Sequence, residues 1–225
     1  MVPRLLDVYR DAAYSCAPKM DRIATSTFYG RWGKRVVDLI AAAAALLMLW
    51  PLLLLCAILI KATSRGPVLF KQERLGKGAT TFLAFKFRTM TDKPRKPDTI
   101  AYFGDPSEIT LVGNVLRRTK LDELPQFFNV LRGEMSIVGP RPQLPIQLAE
   151  FNNDARLRLL VRPGLTGMAQ TNGGTRLTWP ERWHYDALYV RTMSFALDCA
   201  LVLRTLRVLV SGDERTTRRP ELAND

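Results

Sequence analysis

Two adjacent carboxylates, Asp122 and Glu123, stand in the segment LRRTKLDELPQFFNVLRGEMSIVGPRP. Neighbouring residues of a helix point about 100° apart, so these two cannot share one proton as facing carboxylates do. They suit two separate tasks, one as a nucleophile and the other as a ligand of a divalent cation. The alternative is that both stabilise the start of a helix, as acidic residues commonly do.

Cations lie close to this pair along the sequence. Arg117, Arg118 and Lys120 precede it, and positive charge there would keep Asp122 ionised. Arg141 follows in the segment GPRP, where the prolines fix the backbone and would aim a guanidinium at a phosphate. A lone PRP segment is also typical of an ordinary proline-rich turn.

A second pair of cations, Lys86 and Arg88, alternates with Phe85 and Phe87. On a strand the two cations would face one side and the two aromatic rings the other. The pattern fits a phosphate-binding face, and it fits a solvated strand face equally well.

The overall charge predicts an anionic partner. The 225 residues carry 33 Lys and Arg against 21 Asp and Glu, a formal net charge of +12. Nucleic acid, anionic lipid and phosphorylated substrates are the candidates. The chain shows neither a nucleic-acid recognition motif nor an extended array of stacking aromatics, so we expect no nucleic-acid partner.

Cysteine and histidine are too scarce for several common kinds of site. Three widely spaced cysteines without a CxxC pair indicate neither a disulfide framework nor a cysteine zinc site. The single histidine, His184, disfavours histidine metal sites and His-dependent triads. A nucleophile, acid or base should therefore be a carboxylate, a hydroxyl or a lysine.

One segment is long enough to enter a membrane. Residues 39–60 form a run of 22 residues without a charge, and at about 1.5 Å per residue this nearly matches a hydrocarbon core of about 30 Å. It starts too far from Met1 for a cleaved signal peptide. Pro51 should kink it, and cations such as Lys34 and Lys61 flank both ends. We therefore expect a re-entrant hairpin broken at Pro51, with a straight span as the alternative.

The remaining patterns predict an α+β fold, a mostly helical membrane-associated catalytic domain with a short β-hairpin. The segment PVLFKQERLGKGATTFLAFKFRTM predicts a strand pair and residues 91–109 a loop. Helical patterns cover 114–131, interrupted by Pro125, and then 179–190 and 195–210. The last helix has a broad apolar face, which fits either core packing or the membrane interface.

These patterns divide the chain into four parts. Residues 1–33 form a loosely ordered leader without an assigned role, and 34–61 form the re-entrant anchor. Residues 62–211 form the catalytic domain. Residues 212–225 form a charged tail that we expect to be disordered.

Almost four-fifths of the chain, from Lys34 to about Val210, resembles the bacterial sugar transferases. These are the small monotopic phosphoglycosyl transferases that start glycoconjugate assembly on polyprenyl phosphate. The matching segments are KRVVDLI, GPVLFKQERLGKG, FKFRTM, RRTKLDELPQFFNVLRGEMSIVGPRP, VRPGLTGMAQ and MSFALD. The run through LDELPQ and VGPRP is the most specific of them.

The resemblance implies that Asp122 is a covalent nucleophile and Glu123 a ligand of Mg²⁺. It also implies that Arg117 is a site residue and that Lys86 and Arg141 contact the phosphates or nucleotide of the substrate. The expected reaction moves a sugar-1-phosphate from a nucleotide sugar, such as a UDP-sugar, to undecaprenyl phosphate. The expected location is the inner membrane of a bacterium, with the catalytic domain on its cytoplasmic face.

Two positions depart from the family pattern. Trp50 precedes the bending proline where the family usually has serine, so a bend must rely on Pro51 and on packing. The family usually has N-G-R after AQ, whereas this chain reads TNGGTR and places Arg176 two positions late. Arg176 is therefore the candidate to replace the arginine of that family motif as a substrate-binding residue.

The main competing hypothesis is a catalytically silent, membrane-tethered protein that binds polyanions or serves as a scaffold for glycan assembly. The intact carboxylate pair favours the enzyme, because a polyanion binder would avoid carboxylates beside its phosphate site. The sequence leaves open the sugar, the pathway and whether the chain forms a homo-oligomer.

Overall fold

The computed structural model describes residues 27–91 and 106–211. The predicted charged tail, most of the predicted leader and the middle of the predicted loop at 91–109 lie outside the described residues.

The described chain begins with a long apolar helix. A π-helical turn at Tyr29–Gly33 runs directly into helix α1, Lys34–Thr63, so the helix begins inside the predicted leader. Pro51 lies within α1, and the helix continues through it, so the predicted break of the helix at Pro51 is not observed. At about 1.5 Å per residue, the 30 residues of α1 extend for about 45 Å. By length and composition the helix could cross a membrane.

Both halves of α1 pack against the rest of the molecule. In the first half, Ala42 is buried among Phe82 and Val130. In the second half, Cys56 and Ile60 are buried with side chains of the same domain. The middle exposes large apolar side chains, namely Leu47, Met48, Trp50, Leu54 and Leu55. The helix thus packs against the rest of the described chain near both ends and leaves an apolar surface between them.

The predicted strand pair is confirmed. Strand β1, Leu69–Leu75, pairs antiparallel with β2, Thr81–Phe87, in a register that sets Leu69 opposite Phe87. A short 3₁₀ turn, Lys77–Ala79, connects them, with Gly78 at φ 68°. That left-handed conformation favours glycine, which explains why the hairpin turns here.

The predicted helical stretch at 114–131 is divided into three short pieces. Helix α2 covers Leu111–Arg118, a 3₁₀ turn covers Leu121–Glu123, and helix α3 covers Gln126–Arg132. A 3₁₀ turn at Pro106–Glu108 precedes α2. Pro125 directly precedes α3, a position where its missing N–H is not needed.

A second, parallel strand pair holds two sequence motifs together. Strand β3, Ser136–Val138, lies beside β4, Gly164–Thr166. The GPRP segment follows β3, and its Gly139 approaches Gly164 so closely that a Cβ on Gly164 would lie 2.1 Å from the Gly139 nitrogen. Glycine is required at this contact because any side chain would collide with backbone.

Short helical pieces lead to and from this strand pair. They are a 3₁₀ stretch at Pro145–Glu150, helix α4 at Asn153–Leu157, a 3₁₀ turn at Arg158–Leu160, helix α5 at Met168–Thr171 and a 3₁₀ turn at Gly174–Arg176. Two longer helices follow, α6 at Trp179–Thr192 and α7 at Phe195–Ser211, close to the predicted bounds. The fold is therefore α+β and mostly helical.

Helix α7 buries its single carboxylate and exposes part of its apolar face. Asp198 is buried, while Leu203, Leu206 and Leu209 are exposed. Asp198 accepts hydrogen bonds from Tyr29 Oη at 2.5 Å, Lys34 Nζ at 2.6 Å and Tyr189 Oη at 2.8 Å.

Asp38 lies near this cluster and accepts hydrogen bonds from Ser136 Oγ at 3.0 Å and from the Ile137 backbone N–H at 2.9 Å. We call Tyr29, Lys34, Asp38, Tyr189 and Asp198 the helix-foot network. It fastens the start of α1 to α6, α7 and β3.

Candidate active site

The backbone presents Asp122 and Glu123 on a tight turn between two helices. Helix α2 ends at Arg118, and Lys120 then adopts a left-handed conformation with φ 59°. A non-glycine residue rarely adopts this conformation, and such strain is concentrated at functional sites. The turn places the two carboxylates next to strand β2 and the GPRP segment, the two elements that carry the predicted cations.

Glu123 is held by two cations. Lys86 Nζ lies 2.6 Å from Glu123 Oε1, and Arg141 donates from Nη1 to Oε2 at 3.0 Å and from Nη2 to Oε1. Burial opposes ionisation of Glu123, but Arg141 and Lys86 outweigh it and hold the pKa of this carboxyl far below its usual range. The structure thus brings together Lys86, Glu123 and Arg141, three of the residues that the sequence proposed for the site.

Asp122 is placed differently from its neighbour. It is only 8% exposed, and among the residues that the structure describes its carboxylate makes no ion pair or hydrogen bond. Burial and the neighbouring charge of Glu123 raise the pKa of Asp122, while Lys86, Arg141 and Lys120 lower it in part. One carboxylate is therefore anchored and the other is left without a partner.

This result corrects one sequence-based expectation. Arg117, Arg118 and Lys120 were expected to keep Asp122 ionised. Of these, Lys120 is among the chief cations that favour its charged form, and the others are Lys86 and Arg141. The pKa of Asp122 is nevertheless raised, because burial outweighs these attractions. Arg117 instead donates from Nε to Thr89 Oγ1 at 2.8 Å, which links α2 to the end of β2.

The backbone of Arg141 is held by a buried ion pair that sequence reasoning missed. Arg158 donates from Nη2 to the backbone carbonyl of Arg141 at 2.5 Å and lies 3.0 Å from Asp186 Oδ2. Both side chains of this pair are almost fully buried. Burial raises the pKa of Asp186 to about 6, against the opposing effect of Arg158. No local pattern connects Arg158 to Asp186 across the chain, so only the fold could show their pairing.

Arg74 is a second cation that the sequence reasoning did not single out. It donates to the Pro142 carbonyl at 3.2 Å and to Gln72 Oε1 at 2.5 Å. Burial and the nearby charge of Arg141 lower its pKa to about 10, so it remains charged at neutral pH. The motif GPVLFKQERLGKG contained this residue, but a single arginine on a strand gave no separate signal.

Among the described residues, neither of the two other predicted site residues makes a hydrogen bond or ion pair with Glu123. Arg88 is buried and donates from Nη2 to the Ser64 carbonyl at 2.9 Å and to Ser64 Oγ at 2.7 Å, at the end of α1. Within the described part of the chain, its Nε and Nη1 atoms have no hydrogen-bond partner. Arg176 is exposed, and its side chain makes no hydrogen bond or ion pair among the described residues. The structure separates the predicted Lys86 and Arg88 pair, since Lys86 reaches Glu123 and Arg88 reaches the anchor.

The donor atoms suit Mg²⁺ only in part. Within 27–91 and 106–211 there is no group of three or more His, Cys, Asp or Glu side chains that could hold a metal ion. Asp122 and Glu123 supply two adjacent carboxylates. Because Mg²⁺ is usually bound by one or two carboxylates together with water and substrate phosphates, this set fits a metal that arrives with a phosphorylated substrate.

Comparison with known proteins supplies the family. The family model described as "Bacterial sugar transferase" matches residues 29–212. A UDP-N-acetylgalactosamine-undecaprenyl-phosphate N-acetylgalactosaminephosphotransferase of Aeromonas hydrophila is 39% identical over 190 residues, covering 80% of this chain and 44% of that protein. The chain thus spans less than half the length of that relative.

For two further relatives, the alignment with this chain covers a larger share of the relative's own length. A UDP-glucose:undecaprenyl-phosphate glucose-1-phosphate transferase of Caulobacter vibrioides is 42% identical over 80% of this chain and 70% of its own length. The exopolysaccharide production protein ExoY of Rhizobium meliloti is 37% identical over 79% of this chain and 85% of its own length. Since the family model covers almost all of the described residues, the chain belongs to the bacterial sugar transferase family.

Proposed function

We propose that this protein transfers a sugar-1-phosphate from a UDP-sugar to undecaprenyl phosphate and releases UMP, with Asp122 as a covalent nucleophile. The observation that carries the proposal is the arrangement of the dyad. Asp122 has no partner among the described residues, while adjacent Glu123 is held between Lys86 and Arg141. Relatives with the two substrates in their names support the choice of donor and acceptor.

Three cations near Glu123 would receive the diphosphate of the donor. Lys86 and Arg141 contact Glu123, and Arg74 lies close to Arg141. They come from β1, β2 and the GPRP segment, so the site stays positive although it contains two carboxylates. An incoming diphosphate would share these cations with Glu123 and offset the repulsion that Asp122 exerts on it.

The proposed chemistry has two steps. A carboxylate oxygen of Asp122 attacks the phosphorus that bears the sugar, and the bond from that phosphorus to the bridging oxygen breaks, which releases UMP. In the second step a phosphate oxygen of undecaprenyl phosphate attacks the same phosphorus. The bond to Asp122 then breaks, the carboxylate is regenerated, and undecaprenyl diphosphosugar is formed.

Glu123 is the residue that would hold Mg²⁺ at this site. When bound, the metal would neutralise phosphate oxygens during transfer. Both oxygens of Glu123 are engaged by Lys86 and Arg141 in the free chain. Binding of metal and donor would therefore transfer part of these contacts from the carboxylate to the phosphates.

The anchor packing supports a re-entrant topology. Ala42, in the first half of α1, and Ile60, in the second half, are both buried against the same catalytic domain. A straight span would carry one end of α1 to the opposite membrane surface, away from that domain. We therefore propose that both ends stay on the cytoplasmic side of a bacterial inner membrane, with the exposed middle around Trp50 in the lipid. This topology requires α1 to bend in its middle, where Pro51 removes one backbone hydrogen bond without ending the helix.

Activity with defined substrates tests the proposed function. Purified full-length chain is incubated with undecaprenyl phosphate, Mg²⁺ and each of a series of UDP-sugars, and both UMP and the lipid-linked product are measured. We expect equal amounts of the two products with at least one donor. If no donor releases UMP, the alternative of a silent polyanion-binding or scaffold protein is supported instead.

Cysteine labelling tests the topology. Native cysteines are replaced, single cysteines are introduced at positions 28 and 66, and intact cells are treated with a membrane-impermeant reagent. Protection of both positions until the cells are opened is expected. Labelling of position 28 alone from outside would show a straight span.

A further inference from the structure

A basic cleft of about 290 Å³ lies where the start of the N-terminal helix meets the catalytic domain. Five cations line it, namely Arg31, Lys34, Arg35, Lys77 and Arg162. Asp38 is the single carboxylate among the described residues that line the cleft. Neither Asp122 nor Glu123 lines it, so the cleft is separate from the candidate active site.

Most of this positive charge is not neutralised by carboxylates. Lys34 pairs with Asp198, but Arg35 and Arg162 are directed at backbone carbonyls instead. Arg35 donates to the Val130 and Leu131 carbonyls at 2.6 and 3.0 Å, and Arg162 donates to the Gly133 carbonyl at 2.7 Å. Both guanidinium groups thus donate to carbonyls at the end of α3, and the charge of Arg162 lowers the pKa of Arg35.

Two further cations have no partner at all within the described part of the chain. The side chains of Arg31 and Lys77 are exposed and make no hydrogen bond or ion pair there. Asp38 is turned towards Ser136 and Ile137 through its hydrogen bonds. The cleft therefore holds a surplus of positive charge, and an anion would remove the mutual repulsion of its walls.

The surroundings of the cleft indicate where such an anion would come from. Trp32, which lines the cleft, is 67% exposed, and nearby Phe28 is 81% exposed. Exposed aromatic rings beside cations at the end of an apolar helix are typical of the boundary between water and lipid. Basic pockets at the cytoplasmic ends of membrane helices bind lipid headgroups.

We propose that this cleft binds the headgroup phosphate of an anionic membrane phospholipid. The proposal rests on the proposed membrane association of the chain. Such a lipid would be a bound, non-reacting component, because the acceptor phosphate has to reach Asp122, which does not line the cleft. Its binding would fix the depth of the catalytic domain on the membrane surface.

Binding to vesicles tests the proposal. The full-length chain is mixed with vesicles of phosphatidylcholine, alone or with either phosphatidylglycerol or undecaprenyl phosphate, and the bound fraction is measured by flotation. The test variant is Arg31→Gln/Lys77→Gln, which removes two exposed charges that have no partner among the described residues. The control variant, Lys71→Gln/Arg156→Gln, removes the same charge from residues that do not line the cleft.

We expect phosphatidylglycerol to strengthen binding of the wild-type chain. Each cation near an anionic surface contributes about 1 kcal/mol, and about 1.4 kcal/mol corresponds to a tenfold change in affinity. The cleft variant, which lacks two cations, should therefore bind these vesicles about thirtyfold more weakly. The control variant should lose no more than about threefold.

Three results would overturn the proposal. Equal losses in both variants would mean that only general surface charge matters. A loss confined to vesicles with undecaprenyl phosphate would assign the cleft to the acceptor. The wild-type chain could also bind phosphatidylcholine vesicles strongly, with no change when phosphatidylglycerol is added. That result would show that the cleft binds no anionic headgroup, while membrane association itself would stand. Absence of binding to every vesicle would instead contradict the proposed membrane association itself.

Discussion

The candidate active site and the helix-foot network both place carboxylates beside cations, but they differ in whether each carboxylate has a hydrogen-bond partner. In the network, buried Asp198 accepts hydrogen bonds from Lys34, Tyr29 and Tyr189. In the site, Glu123 is held in a similar way, whereas Asp122 next to it has no partner among the described residues. A fully satisfied carboxylate fastens elements together, and a buried carboxylate left unpaired beside cations is available for chemistry.

The largest loss of activity is expected from removing the unpaired carboxylate of Asp122. Asp122→Asn should lower kcat by at least about 10⁴-fold, because an amide cannot form the acyl phosphate. The thermal unfolding temperature should change little, since the carboxylate holds no partner among the described residues. Steady-state kinetics and a thermal unfolding scan of the purified variant measure the two effects. Near-normal turnover would refute the assignment of the nucleophile.

A second, smaller loss is expected from Glu123→Gln. The change would remove the charge that Lys86 and Arg141 share and weaken binding of the metal. We expect kcat/KM to fall by about 10²-fold and the Mg²⁺ concentration needed for half-maximal activity to rise. An unchanged Mg²⁺ dependence would mean that Glu123 only holds the two cations in place.

A substitution in the helix-foot network should lower stability and leave turnover almost unchanged, the opposite of a substitution at Asp122. Asp198→Asn leaves Lys34 buried without its counter-charge, and breaking a buried ion pair costs about 3–5 kcal/mol. We expect a marked loss of thermal stability while kcat of the folded protein stays within about threefold of wild type. Asp122→Asn is the matched control. If Asp198→Asn lowers kcat as strongly as Asp122→Asn does, the two regions are functionally coupled and the comparison fails.

The pH dependence of activity sharpens the contrast between Asp122 and Glu123. Burial and the charge of Glu123 raise the pKa of Asp122 above its ordinary value of 3.8, so protonation removes the nucleophile at a less acidic pH than for an exposed aspartate. The pKa of Glu123 is depressed, and Glu123 therefore stays ionised over the same range. We expect kcat/KM to fall on acidification with a midpoint above 3.8.

The matched variant for this profile is Asp186→Asn. The pKa of Asp186 is raised to about 6. Its protonation would weaken the ion pair with Arg158, which holds the backbone carbonyl of Arg141. Persistence of the acidic fall in Asp186→Asn would assign it to Asp122, whereas its disappearance would assign it to the Arg158 and Asp186 pair.

The smallest effect is expected at Arg176. Its side chain is exposed and makes no hydrogen bond or ion pair among the described residues, so any contact with the donor would be a solvent-screened one. Arg176→Gln should raise KM for the UDP-sugar by up to about fivefold and leave kcat unchanged. A large loss of kcat would show that Arg176 enters the site when the donor binds.

Local patterns in the sequence were enough for the features that depend on neighbouring residues. The β-hairpin follows from alternation and the glycine turn, and helices α6 and α7 follow from helical periodicity. Lys86, Glu123 and Arg141 could be grouped because their types and motifs suit phosphate chemistry.

Features that depend on contacts between distant segments could not be predicted in this way. The burial of Asp198 depends on Tyr29 and Lys34, which lie at the other end of the chain. The pairing of Arg158 with Asp186 likewise has no local signature. The raised pKa of Asp122 follows from burial, which charge counting along the sequence does not include.

Covalent labelling of Asp122 is the most direct test of the central claim. Full-length protein is mixed with a labelled UDP-sugar and Mg²⁺ in the absence of undecaprenyl phosphate, quenched rapidly and analysed by mass spectrometry. We predict that a phosphosugar is attached at Asp122, that UMP is released in equal amount, and that double-reciprocal plots with both substrates are parallel. Intersecting plots, together with no adduct on the wild-type protein, would contradict a covalent role for Asp122 and assign the dyad to metal binding in a direct transfer.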